Sequence, residues 1–146
     1  MVHVLDACAL LTYLNDEHGS DIVDDLLKKA ADGKIDVYIS IVNLIEVHYA
    51  NIRVFGPAKA AAILENILDT PIRVVSSVSD AVFQQSSRLK AFYKCSIADA
   101  IGLATAIDLS GQFVSSDHHE LRAVIENEPI PFLWLPPHPK KSTTSP

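Results

Sequence analysis

Apolar positions along the chain alternate between short continuous runs and the three-or-four spacing of an amphipathic helix. Val2 to Leu5 is a β-branched run that reads as a strand buried on both faces. Leu10, Leu11 and Leu14 predict a first helix ending near Gly19. Ser20 is placed to cap a second, with Ile22, Val23, Leu26, Leu27 and Ala30 on its apolar stripe and Gly33 as its stop. Ile35 to Ile39 is a second strand, and Ser40 caps a long helix that ends at Gly56-Pro57. An Ala-rich helix follows to about Leu68, then a strand over 72–75, a helix opened by Ser79 and running to about Tyr93, and another from Ser96 to about Leu109. A fourth strand over 112–115, a short helix after Asp117 and a fifth strand over 132–135 complete the pattern. Short buried strands alternating with helices predict a three-layer α/β/α sandwich around a central, mainly parallel five-stranded sheet. Residues 1–135 read as one domain. The tail 136–146, with four prolines among Lys, Ser and Thr, reads as disordered.

Composition narrows the class. The 146 residues are 49% apolar and 21% charged, enough for one well-buried core. The net charge of −6 gives no general basic field for a nucleic acid, although acids gathered in one site would account for much of it. No apolar run approaches the roughly 18 residues of a membrane span, and the chain opens on a strand pattern rather than a basic signal-peptide head. Two cysteines, Cys8 and Cys95, are too few for a disulfide framework or a zinc ribbon. The expectation is a cytoplasmic protein without a membrane partner.

The acids fall in informative places. In an open parallel sheet, sites form outside the carboxyl ends of the strands. Asp6 directly follows the first strand and Asp117 follows the fourth. Asp99 stands three residues after Ser96, as in a capping box, in a helical turn that faces the same edge. Glu46 interrupts an apolar helix between Ile45 and Val47, three residues after Asn43, which places it on a solvated stripe or beside a partner. Singly, each is a turn former, a cap or a surface charge. Gathered at one edge they would repel unless a cation neutralised them, and oxygen-only ligands favour Mg²⁺ or Mn²⁺. The chemistry implied is metal-assisted attack of water on a phosphodiester.

These segments resemble the PIN-domain family, particularly VapC-type toxin ribonucleases of bacterial toxin–antitoxin pairs. The resemblance rests on Val4-Leu5-Asp6-Ala7-Cys8-Ala9-Leu10-Leu11, Ser40-Ile41-Val42-Asn43-Leu44-Ile45-Glu46-Val47, Ser96-Ile97-Ala98-Asp99-Ala100-Ile101-Gly102-Leu103-Ala104 and Phe113-Val114-Ser115-Ser116-Asp117-His118-His119-Glu120-Leu121. It implies Mg²⁺- or Mn²⁺-dependent cleavage of RNA, with Asp6, Glu46, Asp99 and Asp117 around the metal. It also implies a homodimer and a small antitoxin whose C-terminal segment covers the site. Cys8 departs from the Ser, Thr or Asn usual there, replacing a good hydrogen-bond donor to metal water or phosphate with a poor one. Ser115 and Ser116 each suit the polar position before the last acid, and Asn43 is a further candidate for that supporting layer.

Asp117-His118-His119 also spells the signature of the DHH phosphoesterases. Those need a second acid where this chain has Cys8, and a longer, two-domain chain. Cys8 as a nucleophile has no evident base and reads as a structural thiol. Residues 81–98 contain Arg88, Lys90 and Lys94, with Phe92 and Tyr93 among them and no acid. Cation and aromatic together suit an RNA strand, and Arg122 is a further phosphate candidate, though a basic solvated helix face has the same pattern. Two other functions fit the same residues: a catalytically silent PIN-like module that binds RNA or protein, and a DNA-directed nuclease.

Overall fold

Residues 1–137 are described by a computed structural model, so most of the tail read as disordered lies outside the described residues. Twelve elements follow in the order β1 (Val2–Leu5), α1 (Ala7–Leu14), α2 (Ser20–Ala31), β2 (Asp36–Ser40), α3 (Ile41–Phe55), α4 (Pro57–Leu68), β3 (Ile72–Val75), α5 (Asp80–Phe92), α6 (Ile97–Asp108), β4 (Gln112–Ser115), α7 (Arg122–Asn127) and β5 (Phe132–Trp134). Every strand pair is parallel, in the order β3-β2-β1-β4-β5. The sheet is thus wholly parallel.

Side chains alternate across the strands, which builds a core on each face. Leu5, Val37, Ile39 and Val114 pack with α1 to α4; Val4 and Phe113 pack with Leu89, Leu103 and Val124 of α5, α6 and α7. That is the three-layer sandwich read from the sequence. Among the described residues, no helix is long and apolar enough to cross a membrane.

Three departures have physical causes. The first helix stops at Leu14 because residues 15–19 offer no apolar position to bury, and Asp16 turns the chain at φ 50°. Gly19, rather than Ser20, caps α2, at φ 100°, and Ser20 is the first helical residue. A Cβ on Gly19 would lie 2.8 Å from Cδ of Pro136, so the chain leaving β5 leaves no room for a side chain there. Finally, α7 begins at Arg122, after a turn, rather than directly behind Asp117.

The strand order also creates an opening in the sheet's upper edge. From β1 the sheet grows through β2 and β3 on one side and β4 and β5 on the other, so the chain reverses its winding between β1 and β4. Helices leave the two strands in opposite directions there and open a crevice at their carboxyl ends.

Candidate active site

Asp6 stands at that crevice. Its backbone N–H donates to the Val114 carbonyl at 3.1 Å, which ties the tip of β1 to β4. The side chain caps α1: Oδ1 accepts from the Ala9 N–H at 2.7 Å, and Oδ2 accepts from the Ser115 hydroxyl at 2.5 Å. Ser115 Oγ also accepts the Asp117 backbone N–H at 3.0 Å, so one serine fixes the acids at both strand tips. Of the two candidate serines, Ser115 is therefore the one that touches the acids. Ser116 is buried, and its hydroxyl finds no partner among the described residues.

Asp99 sits in the first turn of α6 in a complete capping box. Ser96 Oγ accepts the Asp99 N–H at 3.0 Å, and Asp99 Oδ2 accepts the Ser96 N–H at 3.3 Å. The local cap and the candidate site acid are one residue: the box fixes a carboxylate that lines the crevice. Glu46, half-buried on α3, faces the like charge of Asp99 rather than a cation. All four predicted acids line a single cleft of about 250 Å³, together with Ala7, Cys8, Ser96 and Glu120.

Glu120 was not anticipated from the sequence. Its exposed position one turn after Asp117, with its N–H 3.4 Å from Asp117 Oδ1, is the spacing that would have pointed to it.

The electrostatics follow from burial and like charge. Burial is the main cause that pushes the Asp6 carboxyl up to about 7; Ser115 and Ala9 hold it down, and Asp99 and Asp117 add to the rise. Burial and then Asp99 raise Glu46, while burial raises Asp99 against the pull of Ser96, with Asp117 adding a little. The Cys8 thiol is pushed up to about 12 by burial and by all four acids, which favours the neutral thiol over the nucleophilic thiolate.

Among the described residues, no cation contributes to any of these shifts. A cleft of oxygen donors that destabilise one another's charge fits a hard divalent ion that keeps part of its water. Among the described residues no three acidic, His or Cys side chains close into a cage, so such an ion would lie in an open cleft.

The remaining candidates are distributed differently. Asn43 is buried and donates to Ser40 Oγ at 2.9 Å, packing against Gly102 of α6, so it joins α3 to α6 and does not line the cleft. Arg88 commits three of its N–H donors: one to Gln85 Oε1 at 3.0 Å and two to Glu128, at 2.5 and 3.2 Å. It clamps α5 to the end of α7 and is not a free phosphate contact. Lys90 lines a groove with Phe83 and Ile97 between α5 and α6. Lys94 and Arg122 line a hollow beside the acidic cleft. His118 lies with Nε2 2.7 Å from the Leu135 carbonyl and its ring 4.3 Å from that of Trp134, anchoring the Asp117 loop to β5.

A family model described as PIN domain matches residues 3–126. No curated protein matches the chain in sequence. Among solved structures, the chain is similar to VapBC2 from Rickettsia felis bound to a promoter DNA fragment, at TM-score 0.74 and 14% identity, covering 92% of this chain and 99% of that one. DNA-bound VapBC from Salmonella typhimurium is matched at TM-score 0.69 and 16% identity, covering 91% and 97%. VapC20 from Mycobacterium tuberculosis, a toxin that cleaves the sarcin-ricin loop, is matched at 0.61 and 17%, covering 84% and 95%. At these identities the structures establish the fold.

Proposed function

Since the chain belongs to the PIN domain family, we propose that it is a Mg²⁺- or Mn²⁺-dependent endoribonuclease, the toxin of a toxin–antitoxin pair. The observation that carries this reading is the meeting of Asp6, Glu46, Asp99 and Asp117, from four separate segments, in one cleft that no cation among the described residues lines. Residues 1–135 act as a single catalytic domain, and these four acids would hold the ion. When bound, the ion polarises the phosphoryl group and lowers the pKa of a water. The chain's own part is positioning. Ser115 fixes Asp6 and the backbone of Asp117, and the α6 capping box fixes Asp99. The neutral Cys8 thiol leaves attack to water.

The toxin–antitoxin complexes among the similar structures support a small protein partner. Ile45 and Tyr49 flank Glu46 along α3 and are about half exposed, which suits a segment that covers the acidic cleft. The groove between α5 and α6 suits a second copy of the chain. The location expected is the cytoplasm.

Calorimetric titration with Mn²⁺ tests the site without a known substrate. Wild type should show saturable binding that Asp117→Asn loses. Cleavage of RNA by wild type should fall more than about 100-fold in Asp99→Asn, a larger loss than removal of an outer-shell group brings. An active Asp99→Asn protein would sink the assignment. RNA binding indifferent to metal points instead to the silent module, and cleavage of a matched DNA strand to the DNA-directed enzyme.

A further inference from the structure

The acidic cleft adjoins a second cavity. Glu120 lines both, and the second, of about 480 Å³, is also walled by Tyr93, Lys94, His119, Arg122 and Glu126. Lys94 lies two residues before Ser96 of the cleft and Arg122 two residues after Glu120, so the two hollows share a rim. We propose that this cavity is the subsite for the nucleotide next to the cleaved phosphate, with Lys94 and Arg122 on its phosphate and Tyr93 stacked on its base. The proposal rests on the nuclease reading and gives it a defined strand path.

A cleft of carboxylates repels a polyanion, so the strand needs cations and a stacking surface at the rim to hold it there. Lys94 is exposed and makes no ion pair among the described residues. Arg122 pairs with Glu126 at 3.1 Å, but the two side chains are 79% and 60% exposed, so phosphate can take Glu126's place. Tyr93 is held in advance: its hydroxyl donates to Glu128 Oε1 at 2.9 Å, and Glu128 is gripped by both ends of the Arg88 guanidinium. A ring fixed before binding loses little freedom on stacking. This also gives Arg88 a positioning role through Glu128 and Tyr93.

Anisotropy titrations of a short fluorescein-labelled oligoadenylate in Mg²⁺, with every variant built on Asp99→Asn, test the subsite. Tyr93→Leu should weaken binding about tenfold, the loss of one base stack, while Tyr93→Phe, which keeps the ring but loses its tether to Glu128, should weaken it by less. Lys94→Ala and Arg122→Ala should each lower the slope of log affinity against log salt by about 0.7, one phosphate contact apiece. Glu126→Gln should tighten binding severalfold, because it frees Arg122, and Lys59→Ala, a distant charge control, should change nothing. Binding unmoved by Tyr93→Leu, Lys94→Ala and Arg122→Ala, or no binding at low salt, overturns the subsite and leaves the cavity to a protein partner. Wild type that cuts no RNA overturns the nuclease reading instead.

Discussion

A carboxylate that both caps a helix and sits fully buried beside other acids carries its cost in its own titration. Asp6 has its pKa raised from 3.8 to about 7, so between those values the folded chain keeps a proton that the unfolded chain has released. Its contribution to stability is therefore complete below about pH 4 and lost as the pH rises through about 7. Roughly three units at about 1.4 kcal/mol each set an upper bound of about 4 kcal/mol on that loss. Asn caps as well as Asp and does not ionise. In chelator, Asp6→Asn should match wild type at low pH and gain on it steadily toward pH 7, as read by urea unfolding across that range. A flat difference would show that Asp6 ionises normally. The four acids were legible in the sequence because each stands where a strand ends, where a cap is required or where an apolar helix has no reason to tolerate charge. The serine that joins Asp6 to Asp117 was legible only as one of two, since the choice between Ser115 and Ser116 is made by which hydroxyl faces the neighbouring strand. Arg88 read as a phosphate ligand because its partner, Glu128, is forty residues away and nothing local announces it.

The elements that aim these residues depend on one close approach. A Cβ on Gly102 would lie 2.6 Å from Asn43 Nδ2 and 3.1 Å from Phe113 Cε2, so the glycine lets α6 settle onto α3 and β4 at once. Gly102→Ala gains about 1 kcal/mol of helix propensity, but overpacking there costs about 1–3 kcal/mol. The net effect should be a lower Tm. Because α3 carries Glu46 and α6 carries Asp99, weaker metal binding should accompany it. Asn43→Ala in the same chain removes the clashing amide and should recover part of the loss, a non-additivity measurable by denaturant unfolding. Additive effects would show that the two helices do not meet through this pair. The start of α3, α5 and α6 could be read from Ser40, Ser79 and Ser96 because a serine cap is a contact within one turn. The start of α2 could not, because Gly19 is imposed by Pro136, which reaches it only after β5 has crossed the sheet.

At the scale of the molecule, charge and apolar surface are segregated. The chain carries −6, five of its 18 acids line the cleft, and residues 81–98 contain none. The same stretch, with Val78 and Ile101, forms the apolar groove between α5 and α6, where Phe83 is 59% and Ile97 56% exposed. Two molecules of like charge approach at least cost through the face that lacks acids, and that face also has apolar area to bury. Pairing there would use no residue that lines the cleft. Wild type should therefore sediment as a dimer, more completely at higher salt, where the repulsion between the two copies is screened. Phe83→Glu puts an acid at the centre of the groove and should give a monomer with unchanged Mn²⁺ affinity, since Phe83 does not line the cleft. A wild type that stays monomeric at high salt and high concentration would remove this face as the site of self-association.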